Sequence, residues 1–166
     1  MGSIKKASGT LHGQFAIQGT MDKPSVDGEL NFNKAMLIPA ALSSPLKIDQ
    51  QKIRITNEGI VFNKFTIRDS ASNSAQLDGT AYTTNFSNYK FDLLFNANNF
   101  QALNSTRKDN NLYYGDLFFN SRLNIKGTEL HPIIDGTLKV NEKPNSPSYC
   151  LRTIPAYRTA KALCVL

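Results

Sequence analysis

At 166 residues and a formal net charge of +6, the chain is long enough for one domain with a core, yet it has no Trp and its apolar residues are spread thinly. No apolar run is long enough to span a membrane, and the basic start from Met1 to Ala7 lacks the apolar stretch and cleavage site of a signal peptide. Residues 1–140 hold 15 Lys/Arg against 12 Asp/Glu and the last 26 hold four against one, with no basic cluster interleaved with aromatics, so a nucleic-acid partner is not expected.

The first element is one half of an internal repeat. Phe15-Ala16-Ile17-Gln18-Gly19-Thr20, a spacer, Pro24, and Asp27-Gly28-Glu29-Leu30-Asn31-Phe32 return without a gap near the other end of the chain. There the phrase is Leu123-Asn124-Ile125-Lys126-Gly127-Thr128, a spacer, Pro132, and Asp135-Gly136-Thr137-Leu138-Lys139-Val140. Each copy reads as a β-hairpin, with Gly-Thr and Asp-Gly as turn chemistry and Pro as a strand terminator. A repeated strand pair without reactive residues points to an extended scaffold.

After the first copy, Ala35 to Pro45 is apolar but broken by two prolines, which predicts a loop or short turn. Lys52 to Thr56 alternates cleanly, and Asn57-Glu58-Gly59 reads as a turn. Ile60, Phe62, Phe65 and Ile67 follow, with an irregular step at Asn63-Lys64 that predicts a bulge. Asp69 to Ser74 reads as a hairpin loop, Gln76 to Ala81 as a strand, and Asn85 to Asn88 as a turn. Tyr89 to Ala97 is the strongest strand, with Tyr89, Phe91, Leu93, Phe95 and Ala97 on one face. Asn98 to Ser105 suggests one helical turn before a polar loop from Thr106 to Asn111, and Leu117 to Leu123 leads into the second copy.

From Pro144 the alternation stops. One permitted back-translation of this stretch, read one nucleotide earlier, gives Thr-Lys-Phe-Thr-Val-Val-Leu-Pro-Gln-Asn-Asp-Pro, an alternating strand that would continue the pattern. The expected organisation is therefore a strand-built segment over 1–143 and a tail over 144–166, read out of frame or disordered. Cys150 and Cys164 lie in that tail, 14 apart and without His or Cys at ligand spacing, and are read neither as a metal pair nor as a disulfide.

Catalytic chemistry is not expected. His131 occupies a turn position held by Lys23 in the first copy, which suits a solvated side chain, and His12 is the other histidine. Asp22, Asp27, Glu58, Asp69, Asp78, Asp109 and Asp135 read as turn acids that bond nearby amides. No nucleophile elbow, phosphate loop, zinc helix or dinucleotide fingerprint is present, so no cofactor or metal is implied. The all-β, antiparallel fold then has two forms. The apolar faces of two sheets bury each other in a closed β-sandwich, or one curved sheet lines an open groove.

The order of these motifs resembles the C-terminal region of the TamB family of envelope bridge proteins. The resemblance is carried by Gly19-Thr20, Pro24 and Asp27 to Ala35; by Gly59 to Phe62, Phe65 to Ser70 and Leu77 to Thr80; and by Asn85 to Leu93, Ala97 to Asn104 and Leu112 to Gly115. It covers roughly residues 9–143 and lacks the family's N-terminal anchor. It implies an extended curved sheet forming an open apolar groove, β-taco-like, in the periplasmic part of an inner-membrane-anchored protein of a Gram-negative envelope. Its expected partners are phospholipid acyl chains, carried between the membranes, and an outer-membrane barrel of the BamA type, met during outer-membrane protein assembly. The expected groove lining is Phe15, Ile17, Leu30 and Phe32; Ile53, Ile55 and Phe62; Phe91, Leu93 and Phe95; and Leu123, Ile125, Leu138 and Val140. The alternative is a structural or adhesive sandwich that binds protein or glycan near exposed aromatics such as Tyr113 and Tyr114.

Overall fold

The computed structural model, which describes residues 4–20, 23–40, 42–84, 86–108 and 114–141, is one antiparallel sheet of nine strands. In chain order these are β1 (Ile4–Thr20), β2 (Lys23–Pro39), β3 (Leu46–Ile48), β4 (Gln51–Thr56), β5 (Gly59–Arg68), β6 (Ser74–Thr84), β7 (Ser87–Ser105), β8 (Gly115–Thr128) and β9 (Pro132–Asn141). Every strand pairs with sequence neighbours, as frequent polar turns between alternating runs dictate. The short β3 and β4 share the slot between β2 and β5 and are parted at Asp49-Gln50, where Gln50 takes φ 50°. The paths end at β1 and β9, which do not pair with each other. The sheet is therefore open, a groove and not a closed barrel.

The tail over 144–166, with both cysteines, and Asp22, Asp109 and Tyr113 lie outside the described residues.

The bulge expected at Asn63-Lys64 is present. Pairing between β5 and β6 slips between Phe62 and Phe65, and Lys64 turns to φ 48°. Its freed N–H donates to Asp78 Oδ1 at 2.8 Å. The same device recurs twice. Lys34, at φ 49°, donates its N–H to Asp49 Oδ1 at 2.9 Å, and Asn99, at φ 45°, donates to Asn120 Oδ1 at 2.6 Å. Each bulge adds residues to one strand, bends it and increases its twist, which a curved sheet requires.

These bulges explain two corrections. Ala35–Pro39 is not loop: β2 runs through it, because the slip at Lys34 restores Ala35 and Leu37 to the apolar face, where they pair with Ile48 and Leu46. Extended backbone suits a proline at a strand end, and Pro39 pairs with Ile4. Asn98 to Ser105 makes no helical turn but continues β7, since the bulge at Asn99 returns Phe100 to the apolar face opposite Phe119.

A third correction concerns the repeat. Asp27-Gly28 and Asp135-Gly136 lie inside β2 and β9, not at turns, and Asp78 lies inside β6. The two hairpins share one register: Ile17 pairs with Val26 as Ile125 does with Ile134, and Phe15 pairs with Gly28 as Leu123 does with Gly136. The copies therefore form the two edges of the sheet.

The core lies toward the end where β2 leaves for β3. Ala75, Ala97 and Phe100 are buried there, with Leu46, Ile67, Phe95 and Phe119 packed against them. Phe95 stacks on Phe119 at 6.5 Å, and Phe100 meets Phe119 edge-on at 6.0 Å. Removing a buried phenyl of this kind costs about 3–5 kcal/mol.

Candidate functional site

Cross-strand register places all fourteen expected lining residues on one face. Ile17 and Phe15 of β1 stand opposite Val26 and Gly28, and Leu30 and Phe32 stand on the same face two and four places on. Leu30 pairs with Ile53 and Gly28 with Ile55. Ile53 continues to Phe62, Phe62 to Gly79 and Gly79 to Leu93. Phe91 and Phe95 flank Leu93; Leu93 pairs with Ile125 and Phe95 with Leu123. Leu138 and Val140 complete the face on β9, opposite Ser121 and Phe119.

The register adds residues that belong to this face but are missing from the expected lining. Ile60, Phe65, Ile67, Leu77, Phe119 and Ile134 share it. Ile134 is legible in the repeat, being the counterpart of Val26. Phe65 and Ile67 require the bulge at Lys64 to be counted into the alternation.

Exposure rises from the floor to the rims. Residues of the central strands such as Ile53, Phe62, Leu93 and Phe95 are half-buried, whereas the rims stay bare, with Ile17 at 72%, Leu138 at 62%, Val140 at 57% and Phe15 at 42% exposed. A closed sandwich would bury these side chains against a second sheet; here one sheet leaves them facing solvent.

Glycines notch the floor beside the large side chains. A Cβ on Gly28 would lie 2.5 Å from Phe15 Cδ1, and one on Gly13 2.6 Å from Phe15 Cε2. The Phe15 ring therefore lies down on bare backbone. Gly79, at φ 112°, stands between Phe62 and Leu93, and a side chain there would meet the carbonyl of Asp92.

The two ends of the groove differ. β7 extends past the start of β6, and two loops complete its bare edge. Gln101 N donates to Asp69 Oδ2 at 2.9 Å, Ser44 Oγ donates to the Gln101 carbonyl at 3.1 Å, and Asn104 N donates to the Leu42 carbonyl at 3.1 Å. Asp69 and Ser44 are fully buried. Asp69 Oδ1 also accepts the amides of Ala71 and Asn73, each at 2.9 Å, so its carboxylate is satisfied without a cation. At this end Leu46 of β3 reaches the core formed with β6 and β7, and the apolar face closes on itself. At the other end, Ile17 and Ile134 stand exposed and the face is open.

The opposite face is polar and carries cross-strand ion pairs: Lys52–Glu29 at 3.1 Å, Arg54–Asp27 at 3.4 Å and Lys126–Asp92 at 3.7 Å. All are well exposed and each is worth at most about 1 kcal/mol. Their effect is to keep this face wet. Both histidines are exposed, and among the described residues no group of three or more His, Cys, Asp or Glu is placed to hold a metal ion. No helix of the described residues is long and apolar enough to cross a membrane.

A two-faced, bulge-curved antiparallel meander with free edges, one end stoppered by loops, defines an open β-groove protein. The family model for the TamB C-terminal domain matches residues 63–147, just over half of the chain, and the chain belongs to that family. That family is a non-enzymatic transport and assembly module of the cell envelope. Comparison with curated proteins and with solved structures found no match.

Proposed function

We propose that this segment shields phospholipid acyl chains along its apolar face, as part of a bridge that carries lipid between the inner and outer membranes. The observation that carries the reading is the apolar face that the register carries from β1 to β9, half-buried on the floor and bare at both rims. Acyl chains placed there would remove from water the side chains that the sheet leaves exposed, at about 25 cal/mol per Å². A periplasmic location, with inner-membrane anchoring supplied by another part of the protein, belongs to the same reading. So does a role in outer-membrane protein assembly: among the described strands β9 pairs with β8 alone, and its outer N–H and C=O groups suit pairing with a strand of a BamA-type barrel.

Native mass spectrometry of the chain purified from membranes tests the proposal. Phospholipid adducts that survive mild detergent exchange are the expected result. A lipid-free monomer, together with no enhancement of a fluorescent fatty-acid probe, would count against it.

A further inference from the structure

Charge divides the molecule along its strands. At the loop-stoppered end stand Lys5, Lys6, Lys47, Arg68, Arg107 and Lys108, while the exposed carboxylates among the described residues there are Asp49 and Asp116. Asp69 is buried under four hydrogen bonds. At the open end, among the residues whose side chains are described, the balance reverses, with Asp27, Glu58, Asp92, Glu129 and Asp135 against Arg54, Lys90 and Lys126. Two of the three ion pairs given above, Arg54–Asp27 and Lys126–Asp92, belong to that open end.

The basic end is held together by the stopper itself. Lys5 Nζ donates to Ser43 Oγ at 2.8 Å, and Lys47 Nζ to the Ser70 carbonyl at 3.5 Å. Ser70 Oγ in turn donates to Gln101 Oε1 at 3.0 Å, and Arg68 Nη1 to the Ser72 carbonyl at 3.2 Å. Lys47 and Arg68 are direct cross-strand partners. Like charges in that position oppose folding, and the stopper tethers them to loop carbonyls rather than to a carboxylate. Apolar side chains stand bare at both ends, Ile4 at one and Leu130 at the other, so exposed apolar surface does not single out the outside of the stopper. Its charge does.

We infer that the stoppered end is a docking face for an anionic bilayer surface, with Lys47 and Arg68 at its centre. Mostly Lys, spread over strand ends and loops, it reads charge without fixed stereochemistry, as a field of phosphate headgroups requires; recognition of one acidic peptide would want bidentate Arg sites. The inference stands apart from what the groove holds, because it concerns the outside of the stopper.

The test is co-sedimentation of the full chain with phosphatidylcholine vesicles, with and without about a third phosphatidylglycerol. The tail is the same in every variant, so its charge cancels in the comparison. The chain should sediment preferentially with anionic vesicles, and less as salt is raised. Lys47→Gln with Arg68→Gln should weaken that binding roughly 30-fold, at about fivefold per cation, while Lys90→Gln with Lys126→Gln at the open end should change it by less than about twofold. Lys6→Gln with Arg107→Gln supplies a second pair on the same face, and thermal melting checks the fold of each variant. Equal losses from the two ends, or no preference for anionic vesicles, would overturn the inference. Fluorescent fatty-acid loading, read on the same variants, should be unchanged by Lys47→Gln with Arg68→Gln, which separates failure of docking from failure of the groove.

Discussion

Phe15 lies directly opposite Gly28, its ring resting on the backbone where a side chain would otherwise stand, and Leu123 lies opposite Gly136 in the same register at the other edge of the sheet. The Asp-Gly of the repeat is thus a notch for a large neighbour and not a turn. Gly28→Ala should cost about 1–3 kcal/mol, because the new methyl meets both the Phe15 ring and the Gln14 carbonyl. Adding Phe15→Ala should recover only part of that loss, since the carbonyl stays. Denaturant melts of the two single variants and the double variant measure it; full recovery would show that the ring alone made the site tight.

Asp69 joins the β5–β6 loop to β7. Asp69→Ala strands the amides of Ala71, Asn73 and Gln101 and should destabilise by about 3 kcal/mol or more. In a chain of this size that lowers Tm by roughly 6–12 °C. Asp69→Asn keeps one acceptor oxygen and should lose less. The acid is legible in the sequence as a turn residue. Its bond to Gln101, 32 positions away, depends on how far β7 outruns β6, and no local pattern states that.

The bulge at Lys64 offers a contrast of side chains. A φ of 48° is strained for a branched residue and free for glycine. Lys64→Val should cost about 1–2 kcal/mol, whereas Lys64→Gly should be neutral or better. Asp78→Ala, which removes the acceptor of the Lys64 N–H, should cost about 1 kcal/mol. Thermal melts separate the three; equal losses for Val and Gly would mean that backbone strain is not what the site turns on.

Of the bulges at Lys34, Lys64 and Asn99, only the one at Lys64 is legible beforehand, because apolar residues on both sides, Phe62 and Phe65, show the phase slip. The slip at Lys34 is followed by an apolar run with two prolines, and that at Asn99 by polar residues at near-helical spacing. In both places the local pattern imitates another structure, and pairing with the next strand decides. The face itself is legible throughout, because period-2 alternation is set by covalent geometry and survives any register that keeps the face. Whether the face closes is not legible, since closure depends on twist and on which edges pair.

Ser121 is a polar residue on that face, buried between Ala97 and Leu138 with a hydroxyl that finds no partner among the described residues. Ser121→Ala should therefore be neutral or stabilise by about 1 kcal/mol, since an unpaired hydroxyl costs more buried than absent. A rise in the denaturant midpoint checks it, and a clear loss would mean that the hydroxyl is satisfied by a bond the static fold does not display.

Leu93 and Leu94 are adjacent on β7 and face opposite ways: Leu93 pairs with Gly79 and Ile125 on the apolar face, Leu94 with Asp78 and Asn124 on the polar one. Leu93→Arg puts a charge on the groove floor, where its stem displaces bound acyl chain and its head has no acceptor. Leu94→Arg puts the same charge beside Asp78 and water. Fatty-acid probe binding should fall at least tenfold for the first, equivalent to about 1.4 kcal/mol, and stay within about twofold for the second. Stability confounds a floor residue, so Ile17→Arg on the bare rim serves as the companion: at 72% exposure it has little packing to lose. If the groove carries acyl chains, Ile17→Arg weakens probe binding without moving the melt. Equal effects of Leu93→Arg and Leu94→Arg, with Ile17→Arg silent, would leave the apolar face as packing and remove the lipid from it.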